Sequence, residues 1–83
     1  MSRFLDTHTV PGVGREAILQ ACTAMKAAPG VTFIACHDDL SEGKVFCVTE
    51  AESEEVVRRA HANINLPYES IHQVKAIAPT DLV

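Results

Sequence analysis

The sequence predicts an α+β sandwich, a four-stranded antiparallel sheet with two helices on one face. Three observations carry this expectation. Strand-like and helix-like segments follow one another in the order strand, helix, strand, strand, helix, strand. A hairpin signal sits near the middle of the chain. The length of 83 residues is room for one domain, residues 1–83, built around one core.

Residues 3 to 10, Arg-Phe-Leu-Asp-Thr-His-Thr-Val, are rich in β-branched and aromatic side chains and end at Pro11-Gly12, a turn signal, so they predict the first strand. Alternation places Phe4, Asp6 and His8 on one face and Leu5, Thr7 and Thr9 on the other. Neither face is cleanly apolar, which is unusual for a central strand. From Arg15 to about Ala28 helix formers dominate, with Ile18, Ala21, Cys22 and Met25 at helical spacing and Pro29-Gly30 as a stop. Val31 to Asp38 and Lys44 to Glu50 are short apolar runs with branched residues, and Asp39 to Gly43 between them reads as a hairpin loop.

Ser53 is a fitting N-cap for a second helix over about Glu54 to Ala62, with Glu54 and Glu55 at the positive end of its dipole. The apolar face of that helix is Val56, Val57, Ala60 and Ile64, and His61 falls at its margin, where partial burial is expected. After a loop at Asn65 to Tyr68, Ile71 to Ile77 has the composition of an edge strand, and the tail from Ala78 to Val83 reads as irregular. Two strand-helix-strand halves joined by the hairpin give the split, ferredoxin-like βαββαβ arrangement. Both helices then lie on one sheet face, and the other face is left for solvent, a ligand or a partner.

Composition narrows the function classes. The apolar fraction is 47%, and the longest apolar run falls far short of the roughly 20 residues of a membrane span. The N-terminus lacks a basic stretch followed by an apolar one, so no export is expected and cytoplasm is the expected location. Three cysteines, Cys22, Cys36 and Cys47, cannot all pair within one chain, and their spacing matches neither a disulfide framework nor a zinc ribbon. A net charge of −4, with acidic residues gathered around Glu50 to Glu55, offers no basic surface for nucleic acid. A chain this short is near the size at which burial only just exceeds ordering entropy, so oligomerisation is expected.

Pro11-Gly12-Val13-Gly14 lacks the spacing of a dinucleotide turn, and GxSxG, HExxH and CxxC signatures are absent. What stands out instead is His8, Cys36, His37, Cys47, His61 and His72, imidazoles and thiols that together suit nickel, zinc and copper. In the expected topology the first and third strands are central neighbours, which brings His8 near Cys47, while His61 would need a chain bend to join them. The bland alternatives are Cys47 as a small core residue, His61 as a hydrogen-bonded structural residue, His37 and His72 as solvent-facing, and Cys22 as packing on a helix stripe.

Lys44-Val45-Phe46-Cys47-Val48-Thr49-Glu50-Ala51, Glu54 to His61, Leu66-Pro67 and Ile71-His72-Gln73-Val74 resemble a bacterial family of uncharacterised small ferredoxin-like domains that includes nickel-binding, nickel-responsive homodimers. Phe4-Leu5-Asp6-Thr7-His8-Thr9-Val10-Pro11-Gly12 is similar to the first strand of that family, which in the nickel-binding branch ends in a histidine. At matching positions the resemblance implies His8, Cys47 and His61 as metal ligands in a homodimer. Asp6, on the face of His8, is added as a ligand or supporting partner. The chain departs from the nickel-binding branch at Asn65, where a second histidine would follow His61.

These readings predict a small metal-binding protein for buffering or sensing, with nickel first and zinc or copper as alternatives. Two other classes compete with it. One is a small-molecule enzyme whose pocket lies between two facing sheets, with His8 or Cys47 as base or nucleophile. The other is a dimeric interaction module without a ligand.

Overall fold

A computed structural model describes residues 1–82. Its elements are β1 (Ser2–Thr9), α1 (Arg15–Ala27), β2 (Val31–Asp39), β3 (Lys44–Ala51), α2 (Glu54–Asn63), β4 (Ser70–Val74) and a 3₁₀ turn at Pro79–Asp81. The sheet is antiparallel with order β2-β3-β1-β4, the ferredoxin-like arrangement. No helix among the described residues is long and apolar enough to cross a membrane.

One core joins both helices to one sheet face. It contains Phe4 of β1, Met25 of α1 with Ala28 beyond its end, Val31 of β2, Ala51 of β3, and Val57 and Ala60 of α2. On β1 the alternation is kept strictly, so Phe4, Asp6 and His8 are all buried on this inner face. The opposite face carries Leu5, Phe46 and Val48, which are half-buried or exposed.

A bulge in β2 decides which of its side chains point inward. Phe33 pairs with Thr49 and Ala35 with Val48, so Ile34 is the extra residue. Without it, the alternation set by Val31 and Phe33 would send Ala35 and His37 inward. The inserted residue reverses the facing from there on. Cys36 therefore opposes Cys47 on the helix-covered side, and His37, opposite Phe46, is exposed.

Two expectations at the C-terminal end need correction. The fourth strand covers Ser70–Val74 rather than Ile71 to Ile77, because Val74 already faces Arg3 and β1 offers little strand beyond it. The tail is not wholly irregular, since the Asp81 carboxylate accepts from the Ala78 N–H at 2.8 Å and closes the 3₁₀ turn.

The end of α2 is set by chemistry rather than by loss of hydrophobic pattern. Asn65 has φ 54°, the left-handed region. Its N–H donates to the Ala62 carbonyl at 3.1 Å, and the Leu66 N–H donates to the His61 carbonyl at 2.9 Å. This pair of bonds is a Schellman motif, in which Asn is tolerated better than other side chains. Asn65 thus stops the helix within one turn of His61. In urea titrations, Asn65→Gly is expected to leave stability unchanged or slightly raised, while Asn65→Val should cost about 1–2 kcal/mol. Equal effects of the two substitutions would remove the left-handed residue as the constraint.

Candidate metal centre

Three elements deliver the polar side chains of the core. Asp6 and His8 come from the middle and end of β1, Cys47 from β3 directly opposite Asp6, and His61 from the last turn of α2. The ligand atoms of Asp6, His8 and Cys47 lie within 4.8 Å of one another. His61 joins them without any chain bend, contrary to the sequence expectation, while still within the last turn of α2. Its Nε2 stands 3.4 Å from Asp6 Oδ1. Nor is it marginal: His61 is 1% exposed and Asp6 0%.

The hydrogen bonds fix what each imidazole can offer. His8 Nδ1–H donates to the Pro67 carbonyl at 2.6 Å, and His61 Nδ1–H donates to the Val57 carbonyl at 2.8 Å. A carbonyl only accepts, so both rings carry hydrogen on Nδ1 and turn Nε2 toward Asp6. His8 Nε2 is 2.5 Å from Asp6 Oδ1. The rings are stacked with centroids 5.6 Å apart and planes 22° apart, and Tyr68 meets His61 edge-on at 5.1 Å.

Two Nε2 lone pairs and a carboxylate therefore converge in a buried space, and all are acceptors unless a cation is added. Asp6 Oδ2 and His61 Nε2 have no hydrogen-bond partner. A buried unpaired polar group costs on the order of 1–3 kcal/mol, more when charged. In the metal-free chain a proton on His8 meets part of this need. Burial acts to lower the His8 pKa, but the Asp6 carboxylate and the Pro67 carbonyl outweigh it and hold it above 6.5. Burial likewise raises the Asp6 carboxyl, and the His61 and His8 imidazoles outweigh that and hold it below 3.8.

The thiols extend the cluster. A cavity of about 220 Å³ lies between α1 and the sheet, with His8, Cys36, Cys47 and His61 on one side and Cys22 of α1 on the other. The neighbouring Cys47 thiol is the main reason that Cys36 is lowered to about 7; Cys47 is correspondingly raised by Cys36 and by burial. Burial, then Cys36, pushes Cys22 up to about 11. Cys22, expected only to pack, thus also borders the sulfur cluster.

His8 and Cys47 point beneath the helices, so a pocket between two facing sheets does not contain them. His37 and His72 lie exposed and take no part. Sequence reasoning passed over Tyr68 and the buried, unpartnered Thr49 hydroxyl, for which spacing gave no signal.

A family model described as nickel responsive protein SCO4226-like matches residues 4–74. Among solved structures, the crystal structure of SCO4226 from Streptomyces coelicolor A3(2) superposes with a TM-score of 0.85 at 28% identity, covering 93% of this chain and 100% of that one. Curated proteins give no match.

The ion pair sets a stability window for the metal-free protein. His8, raised, contributes fully below 6.5 and loses its contribution as pH climbs through its folded pKa; Asp6, lowered, contributes fully above 3.8 and loses it as pH falls. The stability difference between wild type and Asp6→Asn, read by thermal unfolding across pH, is therefore expected to peak between 3.8 and 6.5. A difference that keeps growing above neutral pH would contradict the pairing.

Proposed function

The chain belongs to the SCO4226-like family of nickel responsive proteins, and from that premise we propose that it takes up a borderline transition-metal ion, nickel(II) first, through Asp6, His8, His61 and Cys47. The role is buffering or sensing of that ion in the cytoplasm, where reduced thiols persist. The observation that supports the reading is the convergence of two imidazole nitrogens and a carboxylate in a buried space where Asp6 Oδ2 and His61 Nε2 find no donor, a set that a cation would complete.

The donor set also bears on the ion. Imidazole, carboxylate and thiolate together favour nickel(II), zinc(II) and copper(II) over calcium or magnesium. The backbone carbonyls of Pro67 and Val57 orient the rings in the manner of outer-shell partners, which fixes Nε2 as the binding atom. A bound ion ties β1, β3 and α2 together, which gives the chain a means of responding to metal.

Calorimetric titration of untagged, metal-stripped protein with Ni²⁺, Zn²⁺ and Cu²⁺ tests this directly. Stoichiometric binding is expected, weakened by roughly 10- to 100-fold or more in His8→Ala, His61→Ala and Cys47→Ala, since losing a ligand costs at least what losing an outer-shell partner does. Affinity should fall as pH drops through the raised His8 pKa, because the ion displaces that proton. Absence of binding, or affinities indifferent to all three substitutions, would overturn the reading.

A homodimer through the outer sheet face is part of the same proposal. Phe46 and Ile34 are exposed there, with half-buried Leu5 and Val48 beside them, a face too apolar to suit water alone. Sedimentation equilibrium is expected to give a dimer for wild type and a monomer for Phe46→Glu. A monomeric wild type would remove the dimer and leave the metal site intact, since the two lie on opposite sides of the sheet.

A further inference from the structure

Two of the three thiols have no place in the centre just described, yet all three line one cavity. Cys36 and Cys47 are direct cross-strand partners in the antiparallel β2–β3 pair. The Cβ atoms of such partners lie about 4.5–5.5 Å apart on the same face, close enough for their sulfurs to share one ion. Cys22 stands on α1 between Ile18 and Met25, both buried, and its side chain lines the same cavity. Around the sulfurs stand Val13, Ala17, Met25, Phe33 and Val45. Cys47 also stands within 4.8 Å of the Asp6 and His8 ligand atoms, so it joins the sulfurs to the centre around Asp6.

We propose that Cys22, Cys36 and Cys47 form a second, all-sulfur site that takes a soft monovalent ion, copper(I). Soft thiolate donors favour copper(I) and zinc over harder ions, and copper(I) is satisfied by two or three of them, whereas a closed zinc site takes four ligands. An ion of single charge also suits an apolar cavity better than a divalent one, because two thiolates with copper(I) leave a net charge of only about −1, limiting the cost of burial. Each thiol that binds gives its proton to the buffer, and copper enters and stays as copper(I), so no electron is transferred. Cys47 belongs to both donor sets, so copper(I) and the borderline ion compete for that sulfur. The Cys22–Cys36 half of the site stands independently of whether Asp6 and His8 hold nickel.

Anaerobic titration of metal-free protein with copper(I) in the presence of the chelator bicinchoninate tests the site, read by loss of the chelator's copper complex and by thiolate-to-copper absorption in the ultraviolet. Copper(I) is expected to bind once per chain. Cys22→Ser and Cys36→Ser, which keep size and whose fold is checked by circular dichroism, should each weaken it by roughly 10-fold or more and leave Ni²⁺ affinity unchanged. Failure to compete with the chelator would overturn the site, as would copper(I) affinity that depends on Cys47 and His8 but is indifferent to Cys22 and Cys36. Loss of Ni²⁺ binding in the wild type with copper(I) binding retained would instead remove the nickel reading and leave this one.

Discussion

A fully buried carboxylate on the central strand is the constraint around which this small protein is arranged. Asp6 occupies a position where the alternation of β1 demands a core residue, between Phe4 and His8, and an isolated charge there would cost several kcal/mol. The structure answers by bringing two imidazoles to it from different elements, each held by a backbone carbonyl so that its free nitrogen faces the carboxylate. Asp6 Oδ2 and His61 Nε2 remain unpartnered, so a single proton on His8 does not satisfy the whole group.

The surrounding architecture serves that placement. The Schellman motif at Asn65 ends α2 just after His61 and turns the chain so that Pro67 returns its carbonyl to His8. The Glu69 N–H then reaches the Thr7 carbonyl at 2.7 Å, leading the chain into β4 beside β1. Asn65 thus has a conformational role that its left-handed backbone explains. The loop after α2 is therefore both the end of a helix and a support of the site.

Much of this was legible in the chain itself. The mixed polarity of Phe4-Leu5-Asp6-Thr7-His8 left neither face of the first strand cleanly apolar, and the composition of imidazoles and thiols pointed to transition metals. His61 was read too weakly because pattern reasoning ranks histidine as polar and sets it at the edge of an apolar face. Burial of an imidazole depends on whether a carboxylate awaits it, which the helix sequence does not contain. His37 was read as solvent-facing and is exposed, but the inward face of Cys36 could not be read, because one bulged residue reverses the alternation and Val31 to Asp38 carries no glycine or proline to announce the bulge.

By itself, then, the sequence determined the element order, the grouping of Phe4, Asp6 and His8 on one face of β1 and the metal-compatible chemistry of its side chains, because periodicity and residue type are local properties. Tertiary structure alone decided that His61 reaches Asp6, that Cys36 opposes Cys47, and that Cys22 closes over them. Those are distances between residues far apart in the chain, set by the sheet register, the bulge and the packing of helices on the sheet, and they arise only when the whole core is assembled.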